Sequence, residues 1–356
     1  MSAPYAFTYQ ALPMRVVMGV RALDRLAEEI DRAGLKRVLV LCSPGQREPA
    51  EMVAGLAGAR IAGIHPHARV HVPAASAAEA RRRAEEVNAD GCLAVGGGSA
   101  IGLGKIVALR HGLPIIAVPT TYAGSEMTPV WGLTENGVKR TGRDPRVLPV
   151  SVLYDPALTV NLPAAVSATS GMNAIAHAVE ALYAPDASPI TDLMAAEGVR
   201  ALAGALPDVV ADGADLDARS RAQYGAWLCG ACLGATTMSL HHKLCHALGG
   251  ALDLPHAPTH AVVLPHALAY NQGAAPEAAA ALGRALGAAA PAARLWELAG
   301  RLGAPRSLRE LGMAEDDIDR IVEVTLANPY ANPRAVTADG LGRLLHAAWS
   351  GRPPAC

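Results

Sequence analysis

The chain has 356 residues, 51% of them hydrophobic and 4% aromatic, with 35 Gly, 26 Pro and a formal net charge of −1. That length accommodates two domains with separate cores, and the charge balance lacks the basic footprint of a nucleic-acid or membrane-surface protein. With Phe7 the only phenylalanine, Ala, Leu, Val and Ile must fill the cores, which suits closely packed helices.

The opening MSAPYAFTYQALPMRVV lacks the charged-then-apolar order of a secretory signal, and no apolar run approaches the roughly 18 residues of a membrane span. A soluble cytoplasmic protein is expected. Lys36–Leu41 (KRVLVL) reads as a strand closed by the turn residues of CSPGQ, and Arg60–Ile64 and Ala68–Val72 as further strand material. In SAAEARRRAEEVNAD, Ser76 and Glu79 stand at the spacing of a capping box that opens a helix. Gly91–Val95 is a strand running into GGGS, Ala100–Leu109 a helix, and Leu113–Val118 a strand ending at Pro119. This βαβαβ rhythm predicts a parallel sheet wrapped by helices.

After Tyr154–Asp155–Pro156 the character changes, and nearly everything from Pro163 to Trp349 has helical patterning. Even the Ala-rich stretch Gly273–Arg294 keeps Leu282 and Leu286 at helical spacing. The expected division is an α/β domain over 1–155 and an all-α domain over 156–356, with the ligand in the cleft between them. Cysteines 42, 92, 229, 232, 245 and 356 form no disulfide framework. The Cys229–Cys232 pair lies in the apolar run GAWLCGACLGA and reads as two buried thiols of one helix.

Six of the twelve histidines (241, 242, 246, 256, 260 and 266) fall within 26 residues. His242 and His246 are one helical turn apart and share a face, as do Asn173 and His177 in MNAIAH; His256 follows Pro255 in an expected loop. Two such helices and a loop histidine can surround one cavity, as metal sites and proton-transfer sites both require. Gly96-Gly97-Gly98-Ser99 follows a strand and opens a helix, an arrangement that brings free amides close to a pyrophosphate. It lacks the G-x-G-x-x-G spacing of the common dinucleotide fingerprint. VPTTYAGSE places Thr120, Thr121 and Ser125 after the next strand, where hydroxyls can meet phosphate or ribose.

With GGGS, PTT, SGMNAIAH and H-x3-H-x9-H in this order, the chain resembles the iron-containing alcohol dehydrogenase superfamily over about residues 10 to 350. PTTYAGSEMTPVWGLTENGVKRTGRDPRVLPVSVLYDPALT and the later NPYANPR look like its maleylacetate reductase branch. The resemblance implies an N-terminal dinucleotide-binding α/β domain, a helical catalytic domain, an active site between them and a homodimer. It matches Gly96, Gly97, Gly98 and Ser99 to the pyrophosphate loop and Thr120 and Thr121 to phosphate and ribose contacts. Lys139 matches a lysine near the nicotinamide. The Asp and three His of the metal-binding members fall on Asn173, His177, His242 and His256, and His246 matches a further histidine near the reactive end of the cofactor.

Three departures separate the chain from the alcohol enzymes. Asn173 replaces the metal carboxylate, Gly102 replaces an Asp, and the Thr-rich loop is one residue shorter than TTAGTGSE. A divalent ion held by one carboxylate and three neutral imidazoles keeps one net positive charge; an amide in place of the carboxylate leaves two and is itself a poorer ligand. No metal is therefore expected. The resemblance implies NADH- or NADPH-dependent reduction of the carbon–carbon double bond of maleylacetate to 3-oxoadipate in aromatic-compound catabolism.

In that reaction His242 and His177 are candidates for polarising the ketone and His246 for donating the proton, since imidazole exchanges protons near neutrality. Lys243, His241, Arg140 and Arg334 are candidate partners for the carboxylates of this small dicarboxylate substrate. The alternatives are a metal-dependent alcohol dehydrogenase, a carbon–oxygen lyase on the same fold and a non-catalytic dinucleotide binder. NADH and NADPH stay open: LCSPGQRE places no acid at the strand tip, while Ser43, Arg47 and Glu48 pull in different directions.

Overall fold

The computed structural model describes residues 7–135, 138–327 and 329–355, without the side chains of Val138 and Lys139. It forms two compact units: Leu12–Leu162 together with Ala214–Gln223, and Pro163–Gly213 with Tyr224 onwards and the N-terminal residues up to Ala11.

The first unit is built on six parallel strands. They are β1 (Arg15–Met18), β2 (Val38–Leu41), β3 (Ile61–His65), β4 (Gly91–Gly96), β5 (Ile115–Pro119) and, beyond a separate antiparallel hairpin of β6 (Val130–Glu135) and β7 (Val138–Arg143), β8 (Ser151–Tyr154). Their order in the sheet is β1-β8-β5-β4-β2-β3. Strands β2, β4 and β5 are buried along their whole length, as a sheet covered on both faces requires. Alternation then sorts their side chains. Val38, Val40, Leu93, Val95, Ile116 and Val118 join a core with α1 (Leu26–Arg32) and α2 (Arg47–Ala57). Leu39, Leu41 and Cys92 point the other way, into a core with α3 (Ala74–Glu86) and α4 (Gly98–His111).

Two local expectations are corrected. Ala68–Val72 is not a strand: His71 and Val72 have φ of 62° and 47°, so the chain turns there, and His71 and Val72 accept hydrogen bonds through their carbonyls from Thr134 of β6. Helix α3 starts at Ala74 with Pro73 as its N-cap; Ser76 is already inside it, and its hydroxyl donates to the His67 carbonyl at 2.8 Å instead of capping. The turn at Val72 also accounts for Gly102, because a Cβ there would lie 2.9 Å from Val72 Cγ2.

The second unit contains α5 (Ala164–Ala181), α6 (Pro189–Ala211), the greater part of α7 (Leu216–Ala235), α8 (Leu240–Leu252), α9 (His256–Asn271), α10 (Pro276–Leu286), α11 (Pro291–Arg301), α12 (Asp317–Leu326) and α13 (Ala338–Ser350). Small residues set how closely these helices approach. A Cβ on Gly171 would meet Leu206 at 2.6 Å, and one on Gly198 would meet the Cys229 thiol at 2.8 Å. Cys229 and Cys232 are buried and free, as are the other described cysteines. Among the described residues no helix is long and apolar enough to cross a membrane.

Candidate active site

In the α/β unit the glycine loop lies at the one place where the strand order reverses. The chain runs outward from β2 to β3, then returns to place β4 on the other side of β2. Such a switch point opens a crevice at the carboxyl ends of the strands, the usual seat of a ligand in an open α/β sheet. Gly96 ends β4 with φ of 143°, a conformation side chains rarely adopt, and turns the backbone into α4. Gly97 must be small for another reason: a Cβ there would lie 2.9 Å from Thr121 Cγ2. At Gly98 nothing lies within 4 Å of a Cβ position, so the loop is open on that side. The first-turn amides of Gly98 and Ser99 are among those an α-helix cannot satisfy itself, and the helix N-terminus favours an anion beside them.

The second loop is tied to the first. The Thr120 amide donates to the Gly96 carbonyl at 3.2 Å, and Thr120 is buried. Ser125 opens a short 3₁₀ turn, and its hydroxyl is buried without a protein partner. Sequence reasoning passed over what fastens this loop, Lys105. From the middle of α4 its ammonium donates to the carbonyls of Ser125 (2.6 Å), Thr128 (2.8 Å) and Val130 (2.8 Å) and to Thr128 Oγ1 (2.9 Å). Burial pulls its pKa down to about 7. The four oxygens around Nζ favour the ammonium all the same. Lys139 is paired with Thr134 in the hairpin by its backbone, and its side chain is outside the described residues.

In the helical unit the histidines come together. His177 on α5 stacks at a tilt on His242 of α8, ring centroids 5.1 Å apart, and His242 stands 6.3 Å from His246. His256 is not in a loop but is the first residue of α9, with Pro255 as N-cap. It therefore lies one turn before His260, with rings 4.2 Å apart, and His260 in turn touches His241 and His242 at 4.8 and 5.1 Å. The cluster is graded in access: His241 and His260 are completely buried, His177 and His242 nearly so, while His246 and His256 are exposed. Asn173 Oδ1, His177 Nδ1 and His242 Nε2 are buried with no protein partner. Such atoms await a polar group from elsewhere.

Of two further residues of this cluster, His260 was counted among the six clustered histidines without a role, and Glu180 had no visible signal in the sequence. His260 sits at its centre, and Glu180, one turn beyond His177, has a fully buried carboxylate whose Oε2 is 2.7 Å from His242 Nδ1. The four candidate partners for substrate carboxylates fare unequally. His241 is sealed in, with Nε2 3.1 Å from the His260 carbonyl, and has no face left for a substrate. Arg334 lies over the Tyr270 ring and donates to the Tyr270 carbonyl, and Arg140 pairs with Glu135. Lys243 stands 5.7 Å over the Tyr330 ring.

Burial holds His241 and His266 down to about 4, with His242 adding repulsion at the first and Arg306 at the second. Burial likewise keeps His177, His242 and His260 well below the ordinary imidazole range. These rings are neutral in the fold and gain protons when it opens, so their contribution to stability is whole above about 6.5 and is lost as pH falls towards 4. A ring moved from 6.5 to about 4 accounts for roughly 3 kcal/mol. The melting temperature is expected to drop steeply between those pH values in calorimetry; a flat profile would mean that the rings are already charged in the fold.

The model of "Iron-containing alcohol dehydrogenase" matches residues 13–156, and that of "Fe-containing alcohol dehydrogenase family, C-terminal" matches 167–349. The maleylacetate reductase of Burkholderia cepacia is 53% identical over 349 residues, covering 98% of this chain and 99% of that protein. Among solved structures, maleylacetate reductase from Agrobacterium tumefaciens superposes with a TM-score of 0.95 at 50% identity, covering 98% of this chain and 99% of its own. An iron-containing alcohol dehydrogenase from Corynebacterium glutamicum gives a TM-score of 0.95 at 42% identity, covering 99% of both chains.

Proposed function

Because the chain belongs to the iron-containing alcohol dehydrogenase family, and its relatives of about 50% identity over nearly the full length are maleylacetate reductases, we propose that it reduces the carbon–carbon double bond of maleylacetate to 3-oxoadipate. It is an NAD(P)H-dependent oxidoreductase of aromatic-compound catabolism. The observation that carries the residue assignments below is that the buried ring nitrogens of this cluster which no protein group satisfies include His177 Nδ1 and His242 Nε2, beside both nitrogens of His260 at its sealed centre.

A nicotinamide dinucleotide held at the glycine loop would supply a hydride for the alkene carbon farther from the ketone. The electron pair of the double bond moves to the ketone oxygen as an enolate, and a proton from solvent finally reaches the carbon beside the ketone. His242 and His177 stabilise the oxyanion. His246 delivers the proton, and its exposure lets water restore it. Asn173 offers its amide to the substrate, and His256 lines the accessible end of the cluster. Gly96, Gly97, Gly98 and Ser99 hold the pyrophosphate, Thr120, Thr121 and Ser125 its neighbouring phosphate and ribose, and Lys139 serves the nicotinamide end. Lys243 and Arg334 are better placed than Arg140 for a substrate carboxylate, because each lies over a ring face while Arg140 is paired with an acid.

The residues fit the family's metal poorly. Asn173 contributes an amide where a carboxylate would offset the ion's charge. Among the described residues, the groups of three whose donor atoms lie within 4.8 Å of one another are His241, Cys245 and His260, and Glu180, His241 and His242; His177, His242 and His256 are not such a group. The oxyanion is therefore assigned to imidazoles alone. A homodimer, the habit of the family, and a cytoplasmic location complete the reading.

The direct test mixes the purified enzyme with maleylacetate and follows nicotinamide absorbance with and without a chelator. Oxidation of the cofactor at the same rate in both is expected. No oxidation would sink the assignment, and inhibition by the chelator that iron or zinc reverses would restore the metal-dependent alcohol dehydrogenase reading.

A further inference from the structure

We infer that Glu180 is a positioning residue that decides which nitrogen of His242 meets the substrate. This rests on the reading of His242 given above and extends it to a residue that touches neither substrate nor cofactor. Glu180 Oε1 accepts from the His241 amide at 2.7 Å, and Oε2 accepts from the Ser239 amide at 3.0 Å. The same Oε2 is 2.7 Å from His242 Nδ1. One buried carboxylate thus caps the start of α8, where negative charge is favoured, and holds the ring of His242, the third residue of that helix. Burial raises the Glu180 pKa above the usual carboxylate value, while backbone amides donating to both of its oxygens oppose that shift and favour the ionised carboxylate as acceptor.

The neighbouring ring fixes the direction of the bond. His241 Nε2 faces the His260 carbonyl at 3.1 Å, and a carbonyl only accepts, so Nε2 carries the hydrogen of His241. Its Nδ1 is then a lone pair, 3.3 Å from His242 Nδ1. A proton on His242 Nδ1 therefore meets an acceptor on both sides, Glu180 and His241, whereas a lone pair there would face two others. His242 is held with Nδ1–H on Glu180 and with Nε2, buried and unsatisfied, as the nitrogen offered to the substrate. With Nδ1–H committed and the ring neutral at rest, Nε2 serves the oxyanion only after a proton from solvent reaches it by way of exposed His246 as charge develops on the ketone oxygen, and the charge of that imidazolium then lies against the Glu180 carboxylate. Glu180 stands to His242 as the buried acid stands to histidine in hydrolase triads.

The first test needs no variant. Long-range proton–nitrogen correlation spectra of histidine-labelled wild-type enzyme at neutral pH should show His242 as the Nδ1–H tautomer; the Nε2–H tautomer would overturn the inference. The second uses Glu180→Gln, whose shape is preserved but whose single accepting oxygen cannot serve the His241 amide, the Ser239 amide and His242 Nδ1–H together. Its kcat for maleylacetate should fall by about 10- to 100-fold, the range seen when an orienting partner of a functional histidine is lost, with NADH affinity within about twofold. In a His242→Ala background the same change should cost little more, because the two act as a unit. Full activity of Glu180→Gln, or losses that multiply in the double variant, would show a helix cap and nothing else. A wild-type enzyme inert towards maleylacetate would refute the proposed reaction while leaving the tautomer measurement to stand or fall alone.

Discussion

Replacing His242 by alanine is expected to lower kcat for maleylacetate by about two to four orders of magnitude, the range for removing a positioned proton-transfer or oxyanion group. Three features put the largest effect at this residue. It touches His177, His241, His246 and His260, it is anchored by Glu180, and its Nε2 is left unsatisfied. The glycine loop belongs to the other unit of the chain and is untouched by the change, so the KM for NADH should move by no more than about twofold. Loss in kcat with cofactor binding preserved is the signature of an interaction made in the transition state. Steady-state kinetics with each substrate varied in turn checks this, and unchanged turnover would remove His242 from the chemistry. The same assay on His246→Ala should show a smaller loss, because water reaches that end of the cluster and can supply the proton itself.

Gly96→Ala is expected to weaken NADH binding by about tenfold or more while leaving the helical unit folded. The backbone at Gly96 has φ of 143°, and a Cβ there would stand 3.0 Å from the Ala100 Cβ. Holding a side chain in that region costs on the order of 1–3 kcal/mol, so the turn should relax and withdraw the Gly98 and Ser99 amides from the pyrophosphate. Because the Thr120 amide bonds to the Gly96 carbonyl, the second phosphate loop should shift as well. Quenching of protein fluorescence by NADH measures the affinity, and thermal unfolding separates a loop defect from global loss of structure. Wild-type affinity would show that this loop does not carry the dinucleotide.

Much of the α/β architecture was legible because its signals are local. The runs VLVL, GCLAV and IIAV are short, apolar and bounded by turn residues, and each became a buried parallel strand. Ala68–Val72 misled because an apolar run before a proline has the same composition whether it extends or turns, and only its docking on Thr134 decided between them. His256 misled in the opposite way: Pro255 suggested a loop, yet a proline is equally suited to the residue before a helix. The His242–His246 and Asn173–His177 spacings could be read as shared faces. That His260 would join them depended on where α9 begins, and a shift of one turn would have aimed it elsewhere. Glu180 and Lys105 were silent for a common reason. Each is an ordinary charged residue in a helical pattern, and its importance comes from contacts to segments about 60 and about 20–25 residues away.

Lys105 has a consequence for how the reductant arrives. A side chain rooted in the helix that follows the glycine loop grips three carbonyls of the segment after β5, so the two loops proposed to hold the dinucleotide are tied together in the fold. Little chain ordering is then left for the moment of encounter. NADH or NADPH should dock as into a finished mortise, with an association rate set by diffusion and orientation and without a slow rearrangement phase afterwards.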